Sequence, residues 1–140
     1  MSEKYKILLV DNRQDFLDVC LPRMEENNFL VDSANSYNEA LQKAEKFRPD
    51  IVITALMLEH FDSGFVLSHK LKQLYPGMLI YILTSATHTT GIKFSINSED
   101  ERAWIKADGF LNEPMKIDDI IDIIETHLAR KKETALKAHA

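Results

Sequence analysis

The chain has 140 residues, with 17 Lys and Arg against 22 Asp and Glu for a formal net charge of −5, and is 45% hydrophobic and 28% charged. This is the composition of an ordinary globular domain with one core, and its acidic balance speaks against nucleic-acid binding driven by phosphate neutralisation. No apolar run approaches the ~20 residues that span a bilayer, the opening MSEKYK lacks a signal-peptide core, and the single Cys20 excludes an intrachain disulfide or a cysteine-based zinc site, so a cytoplasmic one-domain protein is expected.

Short apolar runs alternate with amphipathic stretches along the whole chain. Residues 5–10 (YKILLV) form a run too short for a helix and rich in branched side chains, ending at Asp11 and Asn12. Residues 14–27 place Leu17, Cys20, Leu21 and Met24 at helical spacing, and Pro22 inside that pattern predicts a kink. Residues 29–34 predict a second strand. Ser36-Tyr37-Asn38-Glu39 has capping-box spacing and opens a helix carrying Ala40, Leu41, Ala44 and Phe47, which Pro49 stops. Residues 50–56 predict a third strand, and a helix from about Gly64 carries Phe65, Leu67, Leu71 and Leu74 up to Pro76-Gly77.

Residues 78–84 (MLIYILT) predict a fourth strand, and Ser98-Glu99-Asp100-Glu101 is a second capping box leading to Ala103, Trp104 and Ala107. Gly109-Phe110-Leu111 predicts a short fifth strand. Ile117, Ile120, Ile121, Ile124 and Leu128 make the apolar stripe of a last helix, with Asp118 and Asp119 in the first turn where the helix dipole favours them. Beyond it, Arg130, Lys131, Lys132 and Lys137 face Glu133 alone in a tail read as frayed helix. Five strands separated by helices predict βαβ units and a parallel sheet covered on both faces. The working site of such a sheet lies beyond the carboxyl ends of its strands, here Asp11-Asn12, Ala55, Thr84-Ser85 and Asn112-Glu113.

Four segments in order, KILLVDNRQDFL, PDIVITALM, LTSA and ADGFLNEP, resemble the receiver domain of bacterial two-component response regulators, CheY-like in size. The resemblance covers about residues 5–130 and implies a flavodoxin-like, doubly wound five-stranded sheet of order 2-1-3-4-5. It places the receiver domain at 1–132 and a C-terminal tail at 133–140. It also implies phosphoryl transfer from a histidine kinase to an aspartate at the end of the third strand. Acidic residues after the first strand would hold Mg²⁺, a hydroxyl would end the fourth strand, and a Lys-Pro pair would follow the fifth. Position by position, Asp11 matches the first acidic residue, Thr84 the hydroxyl and Pro114 the proline, whose bond the family implies is cis. Thr84 and Phe110 match the family's switch pair.

The departures decide the mechanism expected. The phosphoacceptor position is Ala55, and a methyl group has no lone pair with which to attack phosphorus. The second acidic position is Asn12, and the lysine position is Glu113, which puts negative charge where phosphoryl oxygens need positive charge. At about 4 Å that repulsion is ~1 kcal/mol in water and several-fold more when partly buried. A replacement at 55 alone would not account for Asn12 and Glu113. Mg²⁺, expected of the family, is left with Asp11 as its main candidate ligand. The expectation is a non-enzymatic receiver whose output is a protein partner, a sensor kinase or downstream protein. That partner would bind through the surface of the fourth helix, fifth strand and fifth helix, with a homodimer as a further option. The alternatives are a receiver with a non-standard acceptor and an ion- or small-molecule-binding flavodoxin-like protein. A flavin or nucleotide is disfavoured because no glycine-rich cradle follows the first or fourth strand.

Several residues carry two readings. Asp11 and Glu113 are either a cation site or two carboxylates, one of them protonated or paired with Arg13 or Lys116, and the second reading is preferred. In the loop Glu59-His60-Phe61-Asp62-Ser63, Asp62 is either a substitute acceptor or, with Ser63, a candidate helix N-cap, and the cap is preferred. Phe110 is expected to sit packed in one rotamer. Ile92, Phe94 and Ile96 form either a partner surface or a loop tucked onto the core, and His88 reads as a solvated loop residue.

Overall fold

A computed structural model of the chain describes residues 5–56, 58, 63–84, 108–112 and 116–138, with the backbone alone at 112 and 130–138. The helix predicted from Ser98, the stretch with Ile92, Phe94 and Ile96, His88, the loop 59–62, Glu113 and the predicted cis bond at Pro114 all lie outside the described residues. The apolar runs form the strands β1 (Lys6–Val10), β2 (Leu30–Ala34), β3 (Ile51–Ala55), β4 (Leu79–Thr84) and β5 (Gly109–Asn112). Between and after them lie the helices α1 (Gln14–Glu26), α2 (Tyr37–Phe47), α3 (Ser63–Leu74) and α4 (Ile117–Ala138). All strand pairs are parallel, in the order β2-β1-β3-β4-β5.

Side chains alternate across this sheet, and each central strand therefore feeds two cores. Ile7, Leu9, Ile51, Ile53, Leu79, Tyr81, Leu83 and Leu111 pack with Leu17, Cys20 and Met24 of α1 and with Ile120, Ile121, Ile124 and Leu128 of α4. Leu8, Val10, Val52 and Ile80 pack on the opposite face with Ala40 and Ala44 of α2 and Leu67 and Leu71 of α3. With both faces covered, the central strands β1, β3 and β4 carry few polar residues, which is why their runs read as continuous rather than alternating. Each fully buried Ile or Leu is worth roughly 1.5–3 kcal/mol, so burial outweighs the few tenths by which helix propensities differ.

Local chemistry sets the element ends. Ser36 caps α2 by accepting from the Glu39 N–H at 3.1 Å, and Glu39 reaches back to the Asn35 N–H at 2.8 Å, one residue earlier than the standard capping box. Arg48 closes α2 in the left-handed region (φ 51°) and lays its guanidinium 4.6 Å over the Tyr75 ring. The second strand starts at Leu30, not Phe29. Asn28 takes φ 68°, the Phe29 N–H bonds the Met24 carbonyl and the Asn28 N–H bonds the Glu25 carbonyl, a Schellman closure that spends Phe29 on ending α1. At Pro22 the helix does not stop but continues to Glu26. Pro22 and Asp18, whose carbonyl loses its donor, are both on the exposed side, where water can replace the missing bond. α4 runs to Ala138, well past Leu128, the last described side chain it buries.

One tether between sheet and helix leaves no sequence signal. Tyr81 pairs in register with Gly109, where an added Cβ would stand 2.9 Å from the Tyr81 Cε1. The missing side chain lets the Tyr81 ring cross β5 and bond the His127 Nδ1 of α4, with the rings perpendicular and 5.6 Å apart. Burial, with the nearby Asp108 carboxylate adding to it, pushes the Tyr81 phenol up to about 12. A folded-state value raised above the unfolded ~10 means that the unfolded chain loses this proton first. The stability tied to the phenol is therefore complete below pH ~10 and declines as the pH rises toward 12. Urea midpoints measured from pH 8 to 11.5 should fall less steeply for Tyr81→Phe than for the parent; equal slopes would remove Tyr81 as the titrating group.

Candidate functional site

The carboxyl ends of the strands converge where the sequence places the site. Val10 pairs with Thr54, so the next residues along, Asp11 and Ala55, lie side by side at the ends of β1 and β3. By alternation both share the face of Leu9 and Ile53. Ala55 pairs with Leu83, and Thr84 pairs with Asn112, which brings the remaining two strand ends to the same edge. Asp11, Thr84 and Ala55 are all buried there, Asp11 completely.

A fully buried carboxylate needs partners, and Asp11 has a charged one two residues away. The Arg13 Nε donates to Oδ1 at 3.0 Å and its Nη2 to Oδ2 at 2.7 Å, a two-pronged contact of fork on carboxylate. The Arg13 backbone N–H adds a third bond to Oδ1 at 2.9 Å, an Asx-turn that starts α1 in place of a side-chain cap. The guanidinium sits 4.5 Å over the Phe16 ring, and its side chain keeps 47% of its surface in solvent against 0% for Asp11. Of the two partners the sequence left open for Asp11, it is Arg13 that pairs with it. Asn12 turns its amide toward the Leu58 carbonyl at 3.5 Å.

Behind Ala55 the first turn of α3 presses on the strand end. The Gly64 N–H bonds the Leu56 carbonyl at 2.7 Å, and a Cβ on Gly64 would lie 2.5 Å from the Ala55 carbonyl oxygen and 2.7 Å from the Leu56 Cα. The sequence reading took Gly64 only as the start of a helix; a glycine in the first turn of the helix that follows β3 was the signal available. Ser63, a candidate cap, lies inside α3 as its first residue. Phe110, half-buried, packs on Leu56, Phe65 and Ile82 with its ring edge-on to Phe65 at 6.2 Å.

Chemically, the described pocket offers one carboxylate, neutralised by an adjacent guanidinium, a buried hydroxyl at Thr84 and a methyl group at 55. It holds no nucleophile at the end of β3.

The receiver-domain family model matches residues 7–125. The chain belongs to the response regulator receiver family. It is 23% identical over 126 residues to the sensory transduction protein BceR of Halalkalibacterium halodurans, covering 90% of this chain and 51% of that protein. It is 31% identical over 80 residues to the alkaline phosphatase synthesis transcriptional regulatory protein PhoP of Bacillus subtilis, covering 57% and 33%. The chain thus spans about half of BceR's length and a third of PhoP's. The solved CheY-like receiver domain from Methanospirillum hungatei superposes with a TM-score of 0.76 at 21% identity, over 94% of this chain and 99% of that one. This receiver is therefore a module of two-component signalling with the flavodoxin-like α/β fold the sequence implied.

Receivers usually bind Mg²⁺, and the residues here do not fit it. Mg²⁺ takes oxygen ligands in near-octahedral geometry. Both oxygens of Asp11 are held by Arg13, position 12 supplies a neutral amide, and position 55 supplies nothing. Among the described residues no group of three or more His, Cys, Asp or Glu is placed to hold a metal ion. Nor is any helix there long and apolar enough to cross a membrane.

Proposed function

We propose that this receiver, taken as residues 1–132 with 133–140 as its tail, does not accept a phosphoryl group at position 55. Its output is the binding of a protein partner: a sensor kinase, a downstream output protein or a second copy. The observation that carries this reading is Ala55 at the end of β3 beside a carboxylate already neutralised from within the chain. Phosphoryl transfer needs an attacking oxygen and a free cationic environment for the equatorial oxygens. The described pocket supplies neither, and Glu113 adds a negative charge to its sequence. The switch positions Thr84 and Phe110 then have no phosphoryl group to respond to, and the packing of Phe110 on Phe65 fits a single resting arrangement. The surface assigned to the partner is that of the predicted helix after Ser98 together with β5 and α4, where Ile123 stands 37% exposed.

Incubation with acetyl phosphate and MgCl₂ should leave the intact mass unchanged. A gain of one phosphoryl group would overturn the reading and favour a non-standard acceptor such as Asp62. In a pull-down, the parent and an Ala55→Asp, Glu113→Lys variant should retain the same partner equally. Retention by the variant only after acetyl phosphate treatment would return the chain to the ordinary phosphorylation cycle.

A further inference from the structure

Resting on the reading above, we propose that Arg13 is a built-in cation that occupies the Asp11 carboxylate in place of a divalent ion. It keeps the pocket closed to Mg²⁺ independently of the losses at positions 12 and 55. Three observations converge on this role. The first is the fork itself, in which each carboxylate oxygen receives one guanidinium N–H, at 3.0 and 2.7 Å, and Oδ1 receives the Arg13 backbone N–H as well. The second is burial: Asp11 has no surface in solvent, and both of its oxygens are already taken by the guanidinium. The third is anchoring, because the other side of the guanidinium lies 4.5 Å over Phe16, which is itself packed against the core between α1 and the sheet. Arg13 is held between a carboxylate and an aromatic plate, and its planar fork loses little freedom in that position.

Charge makes the exclusion stronger than simple occupancy. Asp11 and Arg13 sum to zero, so a divalent ion entering beside them meets no net negative charge from this pair. It gains no attraction from the pair, while it would have to shed strongly held water. Restoring carboxylates at 12 and 55 would add ligands yet leave Arg13 competing for Asp11. The domain would thus carry a permanent internal counterpart of the metal-bound charge state, insensitive to the supply of divalent cations.

The test compares two variants by calorimetric titration with MgCl₂ at matched ionic strength. Asn12→Asp/Ala55→Asp restores the acidic residues and keeps Arg13; Asn12→Asp/Ala55→Asp/Arg13→Gln removes the charge and keeps a polar side chain that reaches as far as the arginine Nε. Both are first shown to unfold cooperatively, and Arg13→Ala replaces Arg13→Gln if the latter does not fold. The triple variant should bind Mg²⁺ at least about tenfold more tightly than the double, a difference of about 1.4 kcal/mol. Equal binding by the two, whether tight or absent, would overturn the role of Arg13. This outcome is independent of the acetyl phosphate test, which reads covalent modification of the parent chain and can succeed or fail on its own.

Discussion

Gly64→Ala is expected to lower the unfolding free energy of this receiver by about 2 kcal/mol, and Gly64→Val by about twice that. The first added atom would sit 2.5 Å from the Ala55 carbonyl oxygen and 2.7 Å from the Leu56 Cα. Both are backbone atoms of the strand end, so no side chain can swing aside; α3 must shift or β3 must bend. Either movement also stretches the 2.7 Å bond from the Gly64 N–H to the Leu56 carbonyl, worth about 1 kcal/mol. Overpacking that displaces backbone costs typically 1–3 kcal/mol, and this contact lies at the upper end. Against it stands the better helix propensity of alanine, about 1 kcal/mol in a helix interior and less in the first turn. The clash therefore wins. Valine adds branched bulk to the same contact with no better propensity to offset it. Urea denaturation at constant slope would read the loss as a lower midpoint; a Gly64→Ala midpoint indistinguishable from the parent would show that α3 is not wedged against the strand end.

How much of this was legible beforehand depends on whether one stretch of chain carried the signal. The central strands β1, β3 and β4 were readable because each is a nearly continuous apolar run, and the run is continuous because the sheet feeds a core on each face. The Ser36 cap was readable because the donor and acceptor of a capping box lie three residues apart. Ala55, Asn12 and Glu113 were readable as departures by residue type alone, with no geometry needed. Boundaries were less secure where two local signals competed. Phe29 has the β propensity of a strand residue, yet the left-handed turn at Asn28 claims it for the end of α1.

What the sequence could not give were contacts between segments that fold together from a distance. The crossing of Tyr81 over Gly109 to His127 joins β4, β5 and α4, and no one of those residues announces the other two. Gly64 looks like a loop-to-helix transition until the end of β3 is placed against it. The choice of Arg13 over Lys116 as the partner of Asp11 rested on where the β1–α1 turn puts a side chain. That turn is fixed by the Asx bond from the Arg13 N–H to Asp11, which the sequence permits but does not require.

The same pair supplies the second large expected effect, and its value lies in an asymmetry. Arg13→Ala should cost about 3 kcal/mol, whereas Asp11→Asn should cost only about 1–2 kcal/mol. Both substitutions act on the same fork of bonds, so the expected difference is in what is left behind. Without Arg13, a carboxylate with no exposed surface retains the backbone N–H at 2.9 Å and loses both guanidinium donors. Breaking a buried pair from that side leaves an uncompensated charge, typically a 3–5 kcal/mol effect, here reduced because removal of the half-exposed arginine admits water. Without the Asp11 charge, Arg13 keeps 47% of its side chain in solvent and its contact with Phe16, and can return its donors to water. The double variant Asp11→Asn/Arg13→Ala buries no charge at all and should be no less stable than Asp11→Asn alone, so the coupling read from the cycle is at least about 3 kcal/mol. Urea titrations of the four proteins at one pH and salt concentration would measure it. Equal costs for the two single variants, with additive behaviour in the double, would mean that the guanidinium lies beside Asp11 without neutralising it, and a pocket with its own cation would have to be given up.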